Sequence, residues 1–72
     1  MPSLGDAIKE LRERRGWTHR DLAAKAMVTA AYIAMIESGE KQNLSMPVLR
    51  RLERALGTRR GELEKLLRPP LA

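Results

Sequence analysis

The sequence predicts an all-α domain, and three observations carry that expectation. Aromatic residues make up only 3% of the chain, while Ala, Leu, Glu, Arg and Lys, all good helix formers, dominate it. Apolar residues recur at intervals of three and four, the spacing of one face of a helix. The breaks between these periodic stretches carry Ser or Thr ahead and Gly behind, the ordinary start and stop signals of helices. A chain of 72 residues supports one small domain, near the lower limit for a core without staples. The expected architecture is therefore a single domain over 1–72, a compact five-helix bundle.

Each helix follows from its own signals. Ser3 and Asp6 fit a capping box before Leu4, Ile8 and Leu11, and Gly16 follows the basic pair Arg14-Arg15, so the first helix covers 4–15. Thr18 and Asp21 repeat the box before Leu22, Ala23 and Ala26, giving a second helix over 19–26. Thr29 caps a third, 30–38, which carries Ile33 and Ile36 and is closed by Gly39. After the polar loop EKQNLS, Ser45 caps a helix over 46–56 with Pro47 in its first turn and Leu49, Leu52 and Leu56 on one face, and Gly57 ends it. Thr58 then opens a last helix over 59–67 bearing Leu63, Leu66 and Leu67, and Pro69-Pro70 stops it.

Composition narrows the function. The chain has no cysteine and one histidine, too few ligands for a metal or redox centre, so no cofactor is expected. No apolar run approaches the roughly 18 residues of a membrane span, and no apolar signal core follows MPSLGDAIKELRERR. The expectation is a cytoplasmic chain with no membrane partner. No pair of groups suited to acid–base or nucleophilic work stands out, which argues against an enzyme. Lys and Arg number 14 against 9 Asp and Glu, a net charge of +5 and a pI near 10.5, which suits a polyanionic partner. Residues 1–18, 19–45 and 46–72 contribute +1, 0 and +4, so the excess lies in the last third. Arg50, Arg51, Arg54, Arg59 and Arg60 are candidates for DNA-backbone contacts, for a solvated face, or for a surface that meets a partner protein.

The second and third helices are separated by only Met27-Val28-Thr29, a spacing compatible with a helix-turn-helix. The stretch HRDLAAKAMVTAAYIAMI, His19 to Ile36, resembles the helix-turn-helix of the Cro and phage-repressor family, also called the xenobiotic-response-element type. Ala23 stands where that motif needs a small residue for close helix crossing, and Val28, Ile33 and Ile36 stand on its core positions. The flanks LRERRGWTHRDLA, YIAMIESGEKQNLSMPVLRRLERALG and TRRGELEKLL match the family's other helices, so the likeness covers 4–67. The resemblance implies a transcriptional regulator that binds double-stranded operator DNA, commonly as a homodimer, and is nucleoid-associated when bound. Leu63, Leu66, Leu67 and Leu71 offer apolar surface for such a dimer. Met27 departs from the family's usual glycine, and a left-handed backbone there implies strain on the order of 1 kcal/mol. The alternative is a different turn, with a tilted third helix.

Site residues follow from the same resemblance. An arginine of the first helix pairs with a glutamate at the end of the third, which implies an Arg12–Glu37 clamp; without a partner, Glu37 reads as a solvated residue beside a helix-ending glycine. Phosphate contacts fall on Thr18, His19, Ser38, Lys41, Gln42 and Asn43. His19 replaces a usual glutamine and retains a ring donor. Trp17 reads better as a lid over the core than as a stacking platform, and Tyr32 is open between the DNA backbone and the core. Base reading falls on Thr29, Ala30, Ala31, Tyr32, Ala34 and Met35. Alanine and methionine offer no bidentate hydrogen bonds, so selectivity is expected to lean on shape, backbone geometry, Tyr32 and dimer spacing. Two other readings use the same fold: an antitoxin-like or accessory protein whose third helix or basic C-terminal helices bind a partner protein, and a weakly specific architectural binder.

Overall fold

The computed structural model describes residues 3–67, and within them the helices are α1 (Leu4–Arg14), α2 (His19–Ala26), α3 (Ala30–Ser38) and α4 (Met46–Leu56), followed by a 3₁₀ turn at Glu64–Leu66. Two capping boxes set the first two starts. Ser3 Oγ accepts the Asp6 N–H at 3.1 Å and the Asp6 carboxylate accepts the Ser3 N–H at 3.4 Å. Thr18 and Asp21 exchange the same pair of bonds at 3.1 and 2.9 Å. Thr29 Oγ1 accepts the Tyr32 N–H at 3.1 Å at the head of α3. Each such cap contributes typically ~1 kcal/mol by satisfying an orphan donor. Ser45 has the backbone of a cap but makes no side-chain cap bond. Pro47, which has no N–H, reduces the demand for one in that turn.

The expected fifth helix over 59–67 does not form. Thr58 closes α4 instead of opening a new helix, donating its N–H (3.0 Å) and its hydroxyl (3.3 Å) to the Glu53 carbonyl. Gly61 then takes a left-handed backbone, φ +89°, which a continuing α-helix does not contain. The Glu53 carboxylate accepts the N–H groups of Leu63 at 2.9 Å and Glu64 at 3.4 Å, so these donors have a partner without a helix. Only the three residues Glu64–Leu66 complete a helical turn.

The core is one cluster drawn from every helix: Leu4 and Ile8 of α1, Leu22, Ala23 and Ala26 of α2, Ile33 and Ile36 of α3, Leu49, Leu52 and Leu56 of α4, with Leu44 and Leu63 from the loops. α3 packs against α1 and α2, while α4 packs against α2. Ala23 is 4% exposed, small enough for α2 and α3 to cross closely. Gly5 allows a second close approach, because a Cβ there would collide with the backbone carbonyl of Ile36. Leu63 is 1% exposed, and Leu66 and Leu67 are half-buried against the same cluster. The leucines expected to present a dimer face thus complete the chain's own core; Leu71 and Pro69-Pro70 lie outside the described residues. No helix among the described residues is long and apolar enough to cross a membrane.

The turn between α2 and α3 retains ordinary helix-ending geometry despite its methionine. Met27 sits at φ +58°, ψ +46°, and the Val28 N–H reaches the Ala23 carbonyl at 3.0 Å, the bond that marks a Schellman ending. Left-handed backbone at a side-chain-bearing residue costs roughly 1–2 kcal/mol, and glycine removes that cost at some expense in chain entropy. The Met27 side chain is 77% exposed and has little packing to lose. Met27→Gly should therefore raise the free energy of unfolding by about 1 kcal/mol, read as a higher denaturation midpoint at unchanged slope. An unchanged or lower midpoint would show that the turn is not strained.

Candidate nucleic-acid interface

A single carboxylate organises the candidate surface. Glu37 Oε2 accepts Arg12 Nε at 2.7 Å, and Glu37 Oε1 accepts both Arg12 Nη2 and His19 Nε2 at 3.0 Å. The Arg12 Nη1 group donates to the Trp17 carbonyl at 2.7 Å. The side chains of Arg12 and Glu37 are only 10% and 7% exposed. Helical register explains the burial of Arg12, which follows Ile8 by one turn on the inner face of α1. Burial alone pushes the Glu37 carboxyl up, but hydrogen bonds from Arg12 and His19 outweigh it and hold the pKa below its ordinary 4.5. Arg12 is held above its ordinary value, chiefly by its hydrogen bond to Glu37.

With Ile33, Ile36 and Glu37 turned inward, the opposite side of α3 is settled. Ala31, Ala34, Met35 and Ser38 are exposed at positions i, i+3, i+4 and i+7, one stripe along the helix, with Thr29 exposed at its head. Ala30 and Tyr32 do not share that exposure; both are half-buried and pack against the core. The Tyr32 phenol is pushed above its ordinary pKa of 10.0 by burial, against the opposing effect of Arg51. It is a neutral hydroxyl at physiological pH. Lys41 places its ammonium 5.6 Å from the centre of the Tyr32 ring. The loop after α3 folds back along the helix, since the Lys41 N–H reaches the Met35 carbonyl at 3.0 Å.

The expected phosphate contacts divide into groups already bonded within the chain and groups left open. The Thr18 hydroxyl accepts the Asp21 N–H in the α2 cap. Ser38 Oγ donates to the Met35 carbonyl at 3.1 Å and accepts the Glu40 N–H at 3.3 Å, and Gln42 Nε2 donates to the Gly39 carbonyl at 3.0 Å. Asn43 is exposed in the same loop. His19 is the informative case. An ionised carboxylate only accepts, so the Nε2 that meets Glu37 carries the ring hydrogen. Donation to a phosphate then requires a second proton on the ring or release from Glu37. The Glu37 bond brings His19, at the start of α2, beside the end of α3, where Ser38 follows.

Glu53, Arg15 and Lys25, which the sequence expectations gave no role, act on this frame together with the basic-third arginines and Trp17. Glu53 is 2% exposed on the inner face of α4; burial pushes its carboxyl up, but N–H groups of Gly61, Leu63 and Glu64 and the Arg50 guanidinium together hold it below 4.5. Arg50 bridges Glu53 at 3.0 Å and Glu64 at 2.7 Å. Arg51 Nε donates to the Ala26 carbonyl at 2.9 Å, closing the end of α2. Arg54, Arg59 and Arg60 are exposed, so of the five arginines singled out from the sequence, all among the described residues, these three present open guanidinium groups to a partner. Arg15 donates to the Leu56 carbonyl and lies 5.2 Å from the centre of the Trp17 ring, while the Lys25 ammonium lies 4.9 Å from it. Trp17 is half-buried against the core beneath these two cations. The spacing Leu49, Leu52, Glu53, Leu56 was the available signal for Glu53, because it puts the glutamate within the apolar stripe.

A family model described as helix-turn-helix matches residues 8–63, most of the chain. No curated protein and no solved structure matches it.

Two tests address the carboxylate. Glu37→Ala leaves a buried guanidinium with only the Trp17 carbonyl and a distant Glu13, and should cost about 3–5 kcal/mol of stability. The double variant Arg12→Ala/Glu37→Ala should lose less than the two single losses added together. A Glu37→Ala loss below about 1 kcal/mol in urea unfolding would mark the pair as energetically exposed. The pH dependence has a definite sign. Glu37 and Glu53 both have folded pKa values below 4.5, so their contribution is present above that value and is lost as pH falls through the lower folded values. Melting temperature should decline steeply below pH 4.5, with a shallower decline in Glu37→Gln. Equal slopes in the two proteins would remove Glu37 from the account.

Proposed function

The chain belongs to the helix-turn-helix family of the Cro and phage-repressor type, and from that premise we propose that it is a transcriptional regulator that binds operator DNA as a homodimer. DNA-binding regulation is the activity of this type of domain. The observation that best supports the present reading is the exposed stripe Ala31, Ala34, Met35 and Ser38, on a helix held from behind by Glu37 and flanked by His19, Lys41, Gln42 and Asn43. Such a helix is narrow enough to lie deep in the major groove. Thr29, Ala31, Ala34 and Met35 then meet the base edges, with Ala30 and Tyr32 at the margin. Thr18, His19, Ser38, Lys41, Gln42 and Asn43 lie where phosphates pass, and the helix-terminal amides of α2 and α3 add further donors. Two half-sites one DNA turn apart suit a homodimer; its support is family membership, since Leu63 is buried and Leu66 and Leu67 are half-buried against the chain's own core. The working place of such a regulator is the cytoplasm, at the nucleoid when bound.

Between Thr29 and Ser38 the exposed stripe carries no side-chain hydrogen-bonding group, and the Tyr32 hydroxyl belongs to a half-buried residue beside it. This favours one alternative, an antitoxin-like protein whose α3 seats in the groove of a partner protein. A mobility-shift series with fragments flanking the protein's own gene separates the two. DNA affinity should fall steeply with salt, on selected and scrambled duplexes alike, because phosphate contacts supply most of the binding. Lys41→Ala should weaken all sequences about equally and reduce the salt slope by about one. Retained DNA binding in Ala31→Gln, together with loss of a protein complex, would transfer the role of α3 to a partner protein.

A further inference from the structure

The polar capacity of α3 is concentrated at its two ends. Thr29 Oγ1 accepts the Tyr32 N–H. The Ser38 hydroxyl donates to the Met35 carbonyl and accepts the Glu40 N–H. Between them the exposed surface consists of the Ala31 and Ala34 methyls and the Met35 thioether. Those three side chains stand at i, i+3 and i+4, so they form one patch rather than isolated points. Ala30 and Tyr32, which flank them in sequence, are half-buried against the core.

In the major groove, thymine is the one standard base that presents an apolar group, its C5 methyl; guanine, adenine and cytosine present donors and acceptors at their groove edges. An alanine methyl set against guanine O6 and N7, or against adenine N6 and N7, excludes water from those atoms without replacing its hydrogen bonds, which is unfavourable. The same methyl set against a C5 methyl loses no hydrogen bond and buries apolar surface. A thioether, flexible and polarizable, adjusts to the same group. The 5-methylcytosine base carries its methyl at the equivalent ring position and satisfies the same patch.

We propose that α3 reads DNA through C5 methyl groups: the patch Ala31, Ala34 and Met35 selects thymine, or 5-methylcytosine, at the steps it covers, and discriminates against bases lacking that methyl. The inference rests on the DNA-binding reading and names what that site prefers. Each contacted methyl contributes roughly fourfold in affinity, the value of one buried CH₂-sized group. The preference is therefore modest at each position and accumulates over the few steps that one helix spans.

The test uses the full chain and a duplex selected from a random library. Each selected thymidine is replaced in turn by deoxyuridine, which removes one methyl and keeps the pairing edge. Affinity should drop about fourfold at each contacted position, and 5-methyldeoxycytidine should bind more tightly than deoxycytidine placed there. Met35→Ala, an exposed change, should bring the thymidine-to-deoxyuridine ratio toward one at a subset of positions. Ala34→Gly, with folding checked by circular dichroism, should do so at another. If deoxyuridine duplexes bind as tightly as the parent, methyl reading is overturned while DNA binding stands. If the ratio is unchanged in both variants, the methyl acts through DNA shape and the assignment to α3 is overturned. Failure to bind any duplex removes the DNA-binding reading and this inference with it.

Discussion

The Glu37 carboxylate is the point on which the arrangement of the first three helices depends. Isolated in a small core it would be strongly destabilising, because burial disfavours the charged form. Here it accepts two hydrogen bonds from the Arg12 guanidinium and one from the His19 ring. The guanidinium extends the same network to the Trp17 carbonyl. One ionised group thus fixes the inner face of α1, the turn after it, the start of α2 and the end of α3. Apolar packing alone specifies such crossings loosely, since side chains of similar volume can repack. The ion pair adds direction, because a bidentate guanidinium–carboxylate contact has one good geometry.

That constraint explains the character of the outer surface. Once Ile33, Ile36 and Glu37 are committed inward, helical periodicity leaves Ala31, Ala34, Met35 and Ser38 outside. Gly5 reinforces the choice by letting α1 approach the end of α3 more closely than any side chain would permit. The second half of the chain repeats the device with different partners. Glu53 is buried on α4, meets Arg50 and gathers the amides of the C-terminal segment, drawing Leu63 into the core. Two of the basic side chains counted in that region are therefore committed to the fold. Arg50 and Arg51 hold α4 to its neighbours, while Arg54, Arg59 and Arg60 remain open.

Legibility of the sequence followed the range of the interaction. Caps act over three residues, and Ser3–Asp6, Thr18–Asp21 and Thr29 were readable because both partners lie within one turn. The faces of α1 to α4 were readable from periodicity. The last segment was not, because its conformation is set by Glu53, ten residues before Leu63, and by the left-handed backbone of Gly61. Leucines spaced for a helix face turned out to be the closing pieces of a core, a distinction that depends on where the chain turns. The pairing of Arg12 with Glu37 spans 25 residues and entered through family resemblance, not through spacing. The bond from His19 to Glu37 was missed: it needs α2 and α3 placed in space before the imidazole has anything to reach. Of the six reading positions, Ala30 and Tyr32 stand apart because α3 presents only one side.

In the proposed complex the face of α3 opposite Glu37 meets DNA. Amide NMR of the ¹⁵N-labelled chain, titrated with a selected duplex, tests it directly. The largest shifts should fall on residues 29–38, at Thr18 to Arg20, and in the loop 39–43, while α4 from Leu49 onward and residues 57–67 change little. Shifts centred on Arg54, Arg59 and Arg60, with α3 unaffected, would contradict the claim and place nucleic acid on the basic C-terminal segment.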